Sequence, residues 1–146
     1  MRIAAISAIL YASVLSAGTV LAQSDKLPDN QPTTVNGIRT ACTGVTTDVR
    51  EDPQWRAYSL RLEFAGSGGQ YLGDETVNVS GNGQSVSVNC AGPWVAMMLP
   101  PGAYKVSADV PDAGHKEMTV HVPAHVVMHF RNAGGAVQPS GGTASE

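Results

Sequence analysis

Gly92-Pro93-Trp94-Val95-Ala96-Met97-Met98-Leu99-Pro100-Pro101-Gly102-Ala103-Tyr104-Lys105-Val106-Ser107-Ala108 reads as strand, forced turn, strand. Two consecutive prolines fix φ and remove two backbone donors, so Leu99 to Gly102 fits neither a helix interior nor a fully paired central strand. A turn falls there. Beyond it Tyr104, Val106 and Ala108 alternate with Ala103, Lys105 and Ser107, which gives one apolar face and one mostly polar face, as a half-buried strand requires. Trp94, Pro100, Pro101, Gly102 and Tyr104 form the structural motif: Trp94 is expected to fill core beneath the turn, and the Tyr104 hydroxyl to reach a nearby backbone carbonyl.

Working outward, Val77 and Val79 alternate with Thr76, Asn78 and Ser80, then Gly81-Asn82-Gly83 interrupts, and Val86, Val88 and Cys90 return. An Asn-Gly pair between two alternating runs predicts a tight hairpin. Earlier, Tyr58, Leu60, Leu62 and Phe64 share one face while Ser59, Arg61 and Glu63 share the other, so this run is also a strand. Later, Met118, Val120 and Val122 alternate up to Pro123, and Val126 to Phe130 is a final apolar run. Glu51-Asp52-Pro53 caps at most a short helical turn. The count of about seven strands separated by turns predicts an all-β fold, a seven-stranded antiparallel Greek-key β-sandwich.

The domain is expected over residues 37–131. Residues 23–36 carry Pro28 and Pro32 without periodicity and read as a flexible arm, and the Gly, Ala, Ser and Thr of residues 132–146 read as a disordered tail. Residues 1–22 combine Met1-Arg2 with an apolar run ending Val20-Leu21-Ala22, which predicts a cleaved signal peptide and a periplasmic or secreted location. The alternative is a membrane anchor, since the run approaches the roughly 20 residues that span a bilayer. Ser7, Ser13, Ser16, Gly18 and Thr19 dilute it, so no stable span is expected in the mature form.

The formal net charge is −3, with 12 acidic against 9 basic side chains. Such a balance excludes nucleic acid as a partner, because phosphate binding needs a basic surface. The two cysteines, Cys42 and Cys90, lack the spacing of a metal or redox motif, and in an exported chain they are expected to form one disulfide.

Four histidines lie close together in the sequence. His115, Met118, His121 and His125 offer imidazole and thioether groups that suit copper or zinc. Residues four apart on one strand are separated by about 13 Å, so only a turn at Pro123-Ala124 folds His121 against His125. Asp74-Glu75 offers two carboxylates for calcium, but the remaining oxygen ligands are not identifiable. Trp55, between Gln54 and Arg56, is a candidate ligand-binding residue that would stack on a carbohydrate. No Gly-x-Ser-x-Gly elbow and no paired carboxylate spacing point to catalysis. Catalytic residues and cofactors are therefore expected to be none.

Gly69-Gln70-Tyr71-Leu72-Gly73-Asp74-Glu75-Thr76-Val77-Asn78-Val79, followed by Leu99-Pro100-Pro101-Gly102-Ala103-Tyr104-Lys105-Val106, resembles the transthyretin-like, carboxypeptidase-regulatory-like sandwich domains. Gly37-Ile38, Gly44-Val45, Asp48, Tyr58 to Phe64 and Gly92-Pro93-Trp94 are similar to elements of small exported single-domain proteins of Gram-negative bacteria. Thr43 and Thr46 depart from the glycines of that pattern. The resemblance implies an accessory module without its own catalysis. The expected role is that of a non-enzymatic binding module whose partner is an unknown envelope protein or glycan, with metal binding and carbohydrate binding as alternatives.

Overall fold

The computed structural model describes residues 26–131. The expected leader, the first residues of the arm and the tail lie outside them. In chain order the elements are β1 (Lys26–Leu27), β2 (Thr33–Val35), β3 (Ile38–Thr43), α1 (Thr47–Glu51), a 3-10 turn (Pro53–Ala57) and β4 (Leu60–Gly66). The chain continues through β5 (Thr76–Gly81), β6 (Gln84–Cys90), β7 (Trp94–Met97), β8 (Gly102–Val110), β9 (Gly114–Val122) and β10 (Ala124–Phe130). They build two five-stranded sheets, a first of order β1-β6-β5-β8-β9 and a second of order β10-β4-β7-β3-β2. The fold is all-β.

Every second side chain meets between the sheets, as alternation dictates. The first sheet contributes Val77, Val79, Val86, Val88, Tyr104, Val106 and Val120, and the second Leu60, Leu62, Phe64, Val95, Met97, Met128 and Phe130. The β5–β6 hairpin turns on Asn82 and Gly83, both at positive φ (51° and 74°), the geometry that Asn-Gly predicts.

Leu99 to Pro101 carries the chain from β7 in the second sheet to β8 in the first. Ser59 fastens this crossing, its hydroxyl accepting from the Leu99 N–H (2.7 Å) and lying 2.7 Å from the Leu99 carbonyl. The Tyr104 hydroxyl donates to the Pro100 carbonyl at 2.7 Å. Tyr104→Phe keeps the buried ring and removes that one bond, so equilibrium urea unfolding should register a loss of about 1 kcal/mol. An unchanged midpoint would mean the bond does not hold the crossing.

The structure differs from the sequence expectation in several places. Ten strands form where alternation counts about seven, because β1, β2 and β3 carry no alternating signal. The stretch read as an arm supplies β1, which pairs with β6, and β2, which pairs with β3. Two pairings are parallel, β1 with β6 and β10 with β4, so the sheets are mixed rather than antiparallel throughout. Strand direction depends on how the chain crosses between sheets, which local patterning does not encode. Trp94 points away from the central core, because Val95 and Met97 take the inward parity of β7. With Trp55, Ala41 and Ala96 it forms a second, smaller cluster on the outer side of the second sheet, against which Tyr58 also packs.

Candidate functional site

Cys42 and Cys90 are bonded, with Cα atoms 5.4 Å apart, and the bridge joins β3 of the second sheet to β6 of the first. The chemistry gathers elsewhere, on the outer face of the second sheet. There β4 presents Arg61 and Glu63, and the parallel register of β10 sets His125 beside Arg61. On the other side of β4, Arg61 faces Ala96 and Glu63 faces Trp94 of β7.

The seat for these groups is built by α1 and the 3-10 turn. Thr46 caps α1 by accepting from the Val49 N–H, and Asp52 caps the turn by accepting from the Gln54 N–H (2.9 Å) with Pro53 at its first position. This lays Trp55 over Ala41 and Ala96. Its indole N–H donates to the Val49 carbonyl (2.9 Å), and the ring is 1 % exposed. Trp55 borders the cleft described below, but at that burial its ring offers no open face for a sugar to stack on.

Trp94 in turn supports Arg61, whose guanidinium carbon lies 4.4 Å from the indole centroid, a cation–π arrangement. The Arg61 terminal nitrogen reaches His125 Nδ1 at 2.7 Å and Glu63 Oε2 at 3.6 Å, while His125 Nε2 meets Glu63 Oε2. The same Arg61 nitrogen also lies 2.9 Å from His125 Nε2, so one guanidinium nitrogen spans the edge of the ring. Burial holds the His125 imidazole below its ordinary range; the Glu63 carboxylate opposes that shift and the Arg61 cation reinforces it. The side chain of Glu63 is only 8 % exposed, although its place in the alternation puts it on the polar face.

Beside this cluster opens a cleft of about 390 Å³, walled by Trp55, Arg56, Tyr58, Arg61, Pro123 and His125. Ser59 also lines it, but its hydroxyl is committed to Leu99 and is not poised as a nucleophile. The arrangement can orient an acceptor group against Arg61 and lay an apolar edge on Tyr58 and Pro123.

His115, His121 and His125, grouped in the sequence, are not grouped in space, although His115 and His129 border one shallow pocket. His115 binds Asp109 (2.9 Å) and Glu117, and these two carboxylates, Asp109 foremost, raise its pKa. His121 is exposed on the outer face of the first sheet, opposite Ala103, and Met118 turns inward toward the core. His125 belongs to the other sheet, so the turn at Pro123 parts it from His121 rather than folding the two together. Among the described residues no three His, Cys, Asp or Glu side chains are placed to hold a metal ion. Asp74 and Glu75 diverge as well: Asp74 pairs with Lys26 at 2.5 Å, and Glu75 is buried.

Sequence reasoning passed over Arg61 and Glu63. Their only local signal is a pair of opposite charges on the outward parity of β4, and the neighbour that makes them a site arrives 64 residues later. Among the described residues no helix is long and apolar enough to cross a membrane. No family model matches the chain, and no curated protein matches it significantly.

Proposed function

We propose that the protein is an exported, non-enzymatic binding module and that its ligand seats in the cleft beside Arg61 and His125. The observation that carries this reading is the position of Arg61: it is propped on Trp94, tied to His125 and Glu63, and still forms part of an open wall. The ligand it fits is a compact polar molecule with an acidic group facing Arg61 and Arg56, such as an acidic sugar of an envelope glycan. Absence of catalysis is supported by Ser59, whose hydroxyl is engaged with Leu99, and by the ties of Glu63 and His125 to each other and to the Arg61 terminal nitrogen. We read the two sheets as a Greek-key sandwich of the transthyretin-like, carboxypeptidase-regulatory-like kind, a reading supported by the Pro-Pro crossing and the Tyr104 hydroxyl beneath it. Export to the periplasm or beyond agrees with a buried disulfide.

The test is amide chemical-shift mapping with a hexuronate oligosaccharide and its neutral hexose counterpart. The acidic probe should shift Tyr58, Arg61 and His125, the neutral one far less, and Arg61→Ala should weaken binding by about tenfold or more, the value of one charge-assisted hydrogen bond. Shifts confined to the first sheet, or hydrolysis of either probe, would remove the proposal.

A further inference from the structure

Residues 26–36 form a strap along one side of the sandwich, crossing from the first sheet to the second. Leu27 pairs with Cys90, Asn30 N–H donates to the Cys42 carbonyl (2.7 Å), Thr43 donates to the Asn30 side chain (2.7 Å), and Asn36 donates to the Ser85 carbonyl (2.6 Å). Lys26 adds the ion pair with Asp74.

Across β6 from this strap lies Glu75. The Cys90 N–H donates to the Glu75 carbonyl (3.0 Å), one step before the Thr76–Asn89 pair, so Glu75, Cys90 and Leu27 form one inward-facing row. Glu75 is fully buried, and neither carboxyl oxygen has a hydrogen-bond partner. A charged carboxylate in that row has little beyond its own backbone N–H to replace its lost hydration, whereas the neutral acid costs far less.

We propose that Glu75 makes closure of the strap depend on a proton: the strap stays docked on β6 while the carboxyl is uncharged and opens when that carboxyl ionises. The charged groups facing it are Asp74 on the approach to β5 and Asp29 and Lys26 on the strap, while β6 offers the bridged Cys90. Burial raises the carboxyl from 4.5 to about 9 against the opposing pull of its own backbone N–H; the Asp74 and Asp29 charges add to the rise, and Lys26 opposes it. Because the folded value lies above the unfolded one, the stabilisation is complete below about 4.5, declines as pH climbs, and levels off above about 9. Asp29 belongs to the strap itself, so opening it gives the new charge water and distance from that carboxylate, which outweighs the attraction of Lys26 that leaves with it. The closed strap is a feature of acidic to neutral surroundings.

Hydrogen exchange at pH 5 and pH 8.5, corrected for intrinsic rates, tests this on the intact protein. Protection of the Leu27 and Asn30 amides, taken relative to Val106 in β8, should fall by about tenfold or more at the higher pH. In Glu75→Gln the same ratio should stay flat, and Glu75→Met serves as a second neutral variant should glutamine pack poorly. An equal loss in strap and β8, no loss in the wild type, or the same loss in both neutral variants overturns the proposal.

Discussion

Replacing both Cys42 and Cys90 by alanine should lower the unfolding free energy by about 4 kcal/mol, the value expected when a bridge stops constraining a loop of this length in the unfolded chain. The two residues are 48 apart in sequence and bonded between different sheets, so the loop they close contains α1, β4, β5 and most of β6. Both are fully buried, and the truncation to alanine adds a small cavity to the entropic loss. Against a typical domain stability of roughly 5–15 kcal/mol, the variant would be marginal at physiological temperature. Urea unfolding of oxidised, reduced and double-alanine protein measures it. Equal midpoints for all three would mean that the sheets hold together without the covalent link.

The second large effect is expected at Gly44. Its φ is +89°, a backbone conformation that side chains resist, and a Cβ there would stand 2.6 Å from Cγ of Trp94. Gly69 provides the control, since its φ is +86° and a Cβ would meet nothing within 4 Å. Gly69→Ala should therefore cost about 1 kcal/mol from backbone strain alone. Gly44→Ala should cost about 3 kcal/mol or more, because displacing a seated indole adds an overpacking penalty. Near-ultraviolet circular dichroism should change for Gly44→Ala and not for Gly69→Ala. Since Trp94 carries Arg61, the Gly44 variant should also lose affinity for the acidic probe. Equal costs at the two glycines would show that the indole has room to move.

Much of the sandwich is legible in period-two alternation, and the failures have physical causes. Tyr104, Val106 and Ala108 read correctly because one side of β8 meets the core and the other meets water. Ala41, Cys42, Val95 and Ala96 did not read as strands of that kind, since both faces of β3 and β7 are covered, one by the core and one by Trp55 and Trp94. Two-sided burial erases alternation. Lys26–Leu27 and Thr33–Val35 are too short to show alternation: the first is held by a partner far along the chain, β6, and the second by a local hairpin with β3 across Asn36-Gly37, both at positive φ. The same limit hid the candidate site. His125 was grouped with His121 by proximity in sequence, whereas a parallel register paired it with Arg61. Glu63 looked solvated because its parity is correct for the outer face, and only the cover supplied by neighbouring elements makes that face partly dry.

The parallel docking of β10 onto β4 sets a condition on how the molecule comes into being. Because β4 is made long before β10, a chain emerging from its N-terminal end must wait, with Leu62 and Phe64 on an open sheet edge, until its last strand arrives. A nascent chain stalled ahead of residue 124 would lack the imidazole and one wall of the cleft. On the proposed reading, the cleft forms only after β10 has been made.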